Sequence, residues 1–192
     1  MSRFPPLLPS QLSPEQHAAY DEQAKIAQSL FGDKFIYKND DSAFIGPFGP
    51  LLYTPTLVGP FMELIVELPK ISGLPPAARE TAILATGSAF KAGYELYAHG
   101  NVATSTSLSD RQIELIKKGE KPEGTDKLDN ACDIAFDVAM KLSKEQGPLS
   151  DVMWKKASDA FGMEGAAALI HFVGFYAYTS IFLNGVAAPV PE

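Results

Sequence analysis

The sequence holds a single cysteine, Cys132, among 192 residues. One thiol excludes an intrachain disulfide, a cysteine-based metal cluster and a Cys-x-x-Cys redox pair. Cys132 itself reads as a small buried hydrophobe. Concentrated positive charge is missing too. Lys and Arg total 16 against 23 Asp and Glu, for a net charge of −7. No basic run exceeds the pairs Lys117-Lys118 and Lys155-Lys156. A phosphate backbone needs a concentrated positive face, so no nucleic-acid partner is expected. The opening residues MSRFPPLLPS contain no apolar run of the roughly 7–15 residues that a secretory signal needs. With the lone thiol, this points to a reducing, cytoplasmic setting.

Strand signals are scarce. The stretch DKFIYKNDDSAFIGPFGPLLY has Gly and Pro punctuation and short apolar pieces; it reads as irregular, with one weak hairpin around Asn39-Asp40. Elsewhere the pattern is helical. Ser13, Pro14 and Gln16 form a capping-box start for a helix that should stop near Gly32. Further helices are expected from Thr54-Pro55 to about Pro69, from Pro75-Pro76 onward, and through GYELYAHGNVATST. Ser109 to Gly119 bounds a short one, and apolar positions 128, 131, 132, 135, 138, 139 and 142 mark a core-facing stripe. Ser150 caps another that should stop at Gly162.

The last segment, GAAALIHFVGFYAYTSIFLNGVAAPV (165–190), approaches membrane length. It carries His171, Thr179, Ser180, Asn184 and two tyrosines, and no basic anchors follow it. A helix apolar on every side is expected in a core or subunit interface, not in a membrane. The chain thus reads as one all-α domain of about seven to eight helices. Residues 1–53 form an N-terminal arm, helix and irregular segment, and 54–187 the helical core.

Titratable residues among apolar neighbours are few. Glu63 and Glu67 share an amphipathic face and should meet solvent. Glu80, beside Arg79, is a carboxylate that needs a partner if buried; either a structural ion pair or an acid–base role would supply it. Glu95 and His99 are four apart, so one helix face brings them together. A carboxylate there can fix an imidazole's tautomer and raise its basicity, as general acid–base histidines require; a polar helix face is the simpler alternative. His171, between Ile170 and Phe172 on the buried helix, fits a satisfied core histidine more readily than a catalyst; as a site residue it would bind substrate. His17 lies on a polar helix. No Gly-rich phosphate loop, metal-ligand spacing or nucleophile motif is present. What remains is proton transfer at His and Glu, with no metal and no covalent cofactor expected.

The segments RFPPLLPSQLSPEQ, GPFGPLLYTPTL, LPPAARETAIL, GYELYAHGNVATSTSLSDRQIELIKKG and FVGFYAYTSIFLNGVAAPVP stand in the order found in carboxymuconolactone-decarboxylase-like proteins. The chain resembles that family over nearly its whole length. The resemblance implies an AhpD-like helical fold, assembly into a trimer or hexamer, and a pocket near subunit contacts. In peroxidase-type members a glutamate precedes an essential histidine by 19 residues, with a Cys-x-x-Cys pair between. Glu80 and His99 match the two ends, whereas Ala92 and Glu95 occupy the cysteine positions. Thiol–disulfide chemistry is therefore not expected. Decarboxylase-like members carry Tyr-Glu-Trp-x-x-His; this chain reads Tyr94-Glu95-Leu96-Tyr97-Ala98-His99, with Leu96 in the Trp position.

On one straight helix, Glu80 and His99 would be separated by about 28 Å of rise. A shared site needs a break, expected between about 86 and 93 near Gly87 and Gly93. The implied activity is a cofactor-independent lyase acting on a small lactone or oxygenated carboxylic acid. His99 would donate the proton, Glu95 orient it, and Glu80 serve as a second acid–base group. Arg79 would pair with an acid or hold a substrate carboxylate; Tyr53, Tyr94, Tyr97 and Phe48 are candidate pocket walls. A dehydratase, isomerase or cyclase would use the same groups. A non-catalytic binding or assembly protein would leave them without a cavity.

Overall fold

The computed structural model describes residues 2–191. Among them are eight α-helices: α1 (Pro14–Phe31), α2 (Phe48–Leu51), α3 (Val58–Glu67), α4 (Pro76–Phe90), α5 (Gly93–Ala103), α6 (Asp110–Lys117), α7 (Asn130–Lys144) and α8 (Asp151–Val186). No strand forms among the described residues; the segment expected to hold a weak hairpin contributes one isolated bridge, Lys38 to Phe44. Asn39 Oδ1 closes that turn by accepting the Asp41 and Ala43 N–H groups.

Local chemistry sets the helix ends. The Ser13 hydroxyl accepts the Gln16 N–H while the Gln16 side chain accepts the Ser13 N–H, and Ser109 with Gln112 repeats the device at α6. Asp129 and Ser150 cap α7 and α8 by the single-bond version. Gly32 and Gly119 end α1 and α6 with φ of 53° and 75°, a region glycine enters without a Cβ penalty.

α4 is the central helix and packs against α5, α6, α7 and α8. Ala77, Ala78, Ala82 and Ala85 on it are buried, and such small side chains let neighbouring helix axes come close. The α7 stripe meets it as expected, with Cys132, Ala135, Val138 and Ala139 buried. A second core cluster joins α1 and the irregular segment (Phe35, Tyr37, Phe44, Phe48) to Tyr94 and Ala98 of α5 and Leu183 of α8. The N-terminal quarter is thus packed directly against the helices that carry His99.

The helix capped by Ser150 stops at Gly162 as expected: Gly162 is non-helical, with φ 68° and ψ 177°, and α8 is two helices joined across that kink. A Cβ there would meet nothing within 4 Å, so backbone conformation, not crowding, asks for glycine. By length and composition α8 could cross a membrane, but in this fold it is a core helix packed on α4, α5 and α7. Its outer side leaves Ile170, Tyr178 and Ile181 exposed.

Candidate active site

The site depends on how α4 turns into α5. Lys91 takes the left-handed conformation (φ 55°, ψ 38°), and the Ala92 N–H bonds back to the Gly87 carbonyl at 2.9 Å. The chain reverses there, inside the window expected from sequence. The two glycines act differently from expectation. Gly87 stays helical, where a Cβ would lie 3.2 Å from Leu96 Cδ2 and 3.5 Å from Glu95 Cγ. Its role is close approach of α5 to α4. Gly93 opens α5, and a Cβ on it would come within 2.9 Å of Val190.

This fold-back sets Glu80 against His99. Glu80 Oε2 lies 2.7 Å from His99 Nδ1, and Arg79 Nε donates to Glu80 Oε1 at 3.2 Å. On the other side of the ring, Glu95 Oε1 is 3.3 Å from His99 Nε2. That second contact is not aligned as a hydrogen bond, and Glu95 Oε1 is buried without a partner. The short orienting bond therefore comes from Glu80, not from Glu95 as the four-residue spacing suggested. Helical spacing brings Glu95 to Nε2, but only tertiary folding supplies the partner of Nδ1.

Glu80, Glu95 and His99 are all buried, with 2%, 3% and 8% of their surface exposed. Burial acts to raise the Glu80 pKa, but the charge and hydrogen bond of His99, with Arg79 behind them, outweigh it and hold the carboxyl below its usual range. Burial likewise acts to lower the His99 pKa; the Glu80 carboxylate, aided by Glu95, overcomes it and the imidazolium is favoured. Glu95 has no such support. Burial, with Glu80 adding to it against His99, pushes its pKa up to about 7. One imidazole is thus held between an ionised carboxylate and a carboxyl that titrates near neutrality.

Two hollows meet at this ring. A cavity of about 190 Å³ is lined by Arg79, Glu80, His99, Tyr176, Lys34 and Phe172, among other side chains. A smaller one of about 30 Å³ lies on the Glu95 side, with Tyr94, Phe48 and Thr179 in its wall; that is roughly the space of one water. Tyr176 stands edge-on to His99, with ring centroids 4.7 Å apart. Burial and then the two glutamates keep its hydroxyl protonated well beyond the ordinary range.

Not every candidate reaches the ring. Phe48 and Tyr94 line the small hollow. Tyr53 is exposed, donates to the Pro5 carbonyl and packs on Phe4. Tyr97 accepts the Ile36 N–H and lines a shallow hollow beside Asn101. His171 is an exposed residue on the outer face of α8, in an apolar groove of about 570 Å³. It is not the buried core histidine that its apolar neighbours suggested, and the groove it lines is not the cavity at His99. Leu96 packs into the α4–α7 core and lines neither hollow at His99, so the Trp-to-Leu change is one of packing. Sequence reasoning missed Tyr176, Phe172 and Lys34. The available signal for the first two was weak: Phe172, Tyr176 and Thr179 recur at helical spacing on the buried side of α8.

Among the described residues, no group of three or more His, Cys, Asp or Glu side chains is arranged to hold a metal ion. Cys132 is buried in α7, and burial pushes its thiol up to about 12.

No protein-family model matches the sequence, and no curated protein matches it. Solved structures do. An uncharacterized peroxidase-related protein from Ralstonia eutropha JMP134, an alkylhydroperoxidase AhpD core, superposes with a TM-score of 0.75 at 16% identity, over 100% of this chain and 93% of that one. Debrominase Bmp8, as a Cys-to-Ala variant in complex with 2,3,4-tribromopyrrole, gives 0.74 at 14% identity, over 98% and 91%. An uncharacterized peroxidase-related protein from Silicibacter sp. TM1040 gives 0.71 at 16% identity, over 94% and 88%. At such identities the likeness concerns the fold alone: this chain has the all-α AhpD-like fold that its sequence resemblance implied.

Proposed function

We propose that the chain is a cofactor-independent acid–base enzyme, a carboxymuconolactone-decarboxylase-like lyase acting on a small lactone or oxygenated carboxylic acid. The observation that carries this reading is the placement of His99 between Glu80 and Glu95 at the wall of a cavity. A cavity of this size is smaller than the roughly 300–1,000 Å³ of drug-sized sites, which suits a small substrate.

Glu80 accepts the Nδ1 proton and holds the ring in one orientation. Its negative charge keeps the imidazolium available as an acid. In a decarboxylation, the carbon–carboxylate bond breaks and its electron pair passes into a conjugated carbonyl as CO₂ leaves. His99 then gives its Nε2 proton to the carbanionic carbon, Glu95, beside Nε2, returns a proton to the ring, and solvent reprotonates Glu95 to complete the cycle. A group with a pKa close to the working pH can both give and take a proton, which is the condition for efficient general acid–base catalysis. His99 itself, with Arg79 behind it, keeps Glu80 ionised. Thiol peroxidase chemistry is not part of this reading, because the only cysteine is buried away from the cavity.

The same groups serve a dehydratase, isomerase or cyclase, and the product mass separates these from a decarboxylase. A purely non-catalytic module is disfavoured by the two hollows at the ring: His99 lines both, and Glu95 lines the smaller. A cytoplasmic homo-oligomer, a trimer or hexamer, belongs to this reading through the family resemblance; the exposed apolar groove between α3 and α8 offers a surface for a subunit contact, and a Tyr178→Lys variant that leaves sedimentation unchanged would remove that support. The reaction is tested by mass spectrometry of wild type, His99→Ala and Glu95→Gln with candidate lactone acids. Turnover that depends on both residues is expected. Unchanged turnover in both variants sinks the mechanism.

A further inference from the structure

The cavity at His99 carries more positive charge than its acid–base groups use. Glu80 is matched by the imidazolium at Nδ1 and by Arg79 Nε. Among the described residues, that Nε bond is the only hydrogen bond of the Arg79 side chain, so its two Nη groups have donors to spare. Phe172, whose ring lies 5.9 Å from the guanidinium carbon, supports one face of it and competes for none of those donors. Lys34, just beyond the end of α1, lines the same cavity and makes no ion pair among the described residues. Its neighbour Asp33 is not in the wall of that cavity; it lines the shallow hollow by Tyr97, which Lys34 also borders. Apart from Glu80, His99 and Tyr176, the remaining wall is apolar.

This is a local excess of positive charge in a chain of net charge −7. Distant surface carboxylates are screened beyond about 8–10 Å at ordinary salt, while charges at a cavity mouth with apolar walls are not.

We propose that Lys34 and the free Nη edge of Arg79 form a cationic rim that selects a small carboxylate-bearing substrate and anchors its carboxylate. Lys34 is then a specificity-determining residue that no motif or spacing singles out. The inference rests on the reading of this cavity as the substrate site, but not on the reaction performed there. It also constrains that reaction. Cations bound to a carboxylate stabilise the anion more than neutral CO₂, so the anchored carboxylate is not the one lost in a decarboxylation.

The test uses benzoate and its neutral isostere benzamide as probes, titrated into the full chain labelled with ¹⁵N-histidine. Imidazole resonances, assigned with His17→Gln and His171→Gln variants, report binding at His99. Benzoate is expected to perturb the His99 ring and to bind about tenfold tighter than benzamide. Lys34→Met should weaken benzoate about fivefold and leave benzamide unchanged, and Lys34→Arg should restore benzoate binding. Equal affinity for the two probes, no response at His99, or a Lys34→Met variant with intact preference for benzoate would each overturn the proposal. Failure of the acid–base reading appears elsewhere, in the turnover of His99→Ala, and leaves these binding ratios unaltered.

Discussion

The two sides of the His99 ring contain the same chemical group in opposite states. At Nδ1, Glu80 has a 2.7 Å partner and an arginine behind it, and is held ionised. At Nε2, Glu95 has a 3.3 Å contact, an unpartnered oxygen and a pKa raised to about 7. Burial is nearly equal, so burial does not distinguish them. Partners do. A buried carboxyl with a cation and a well-aligned donor becomes a fixed charge, while one without them becomes a proton reservoir.

Removing the ring that both sides share should have the largest effect. His99→Ala is expected to lower kcat/KM by roughly 10²- to 10⁴-fold on any substrate found. Residual activity close to wild type would mean that the carboxyls work without it.

The next effect is on folding. Glu80→Gln leaves a buried imidazolium and a guanidinium without their anion, and a destabilisation of about 3–5 kcal/mol is expected in urea unfolding. Because the folded protein holds Glu80 below its unfolded pKa, this contribution is present above the ordinary carboxylate range. It is lost as pH falls through the lower folded value. A Gln variant as stable as wild type at neutral pH would equate the two sides.

Glu95→Gln should show the reverse sign. A folded pKa of about 7 against 4.5 means that the folded protein retains a proton the unfolded chain releases. Wild-type stability should therefore fall between those two pH values, by up to about 3 kcal/mol. The Gln variant should lose that portion of the slope. His99 contributes a fall at higher pH, since its raised pKa gives stability that is full below the unfolded value and lost above the folded one. Parallel pH curves for wild type and Glu95→Gln would deny the proton-reservoir role.

The smallest effect belongs outside the comparison. Tyr53→Phe removes only the bond to the Pro5 carbonyl. Turnover should be unchanged and stability altered by no more than about 0.5–1.5 kcal/mol. A large loss of turnover would extend the site beyond its present walls.

What the sequence disclosed about this site follows a physical pattern. Short-range chemistry was legible: the Ser13, Ser109 and Ser150 caps, the α7 stripe and the Glu95–His99 spacing each depend on residues within a few positions. The Glu80–His99 pairing was reachable because the family resemblance fixed both ends and helical rise demanded a turn between them. The turn itself uses Lys91 in the left-handed region, where glycine was expected. The walls were not legible, because they come from elements distant in sequence. α8 is apolar nearly all round, so periodicity there marks burial without saying which side meets the site. His171 and Tyr176 are close in sequence, yet about 140° apart around the helix; one faces out and the other packs on His99. Lys34 lies in a turn whose position against α4 only the assembled fold decides.

The most direct test is the titration of the carboxyl at Glu95 in the intact protein, followed by carbon NMR with ¹³Cδ-labelled glutamate. One carboxyl resonance with a midpoint near 7, absent from the Glu95→Gln variant, is the expected result. If every glutamate instead titrates in the ordinary carboxylate range, the two sides of His99 are alike and Glu95 holds no proton to return to the ring at neutral pH.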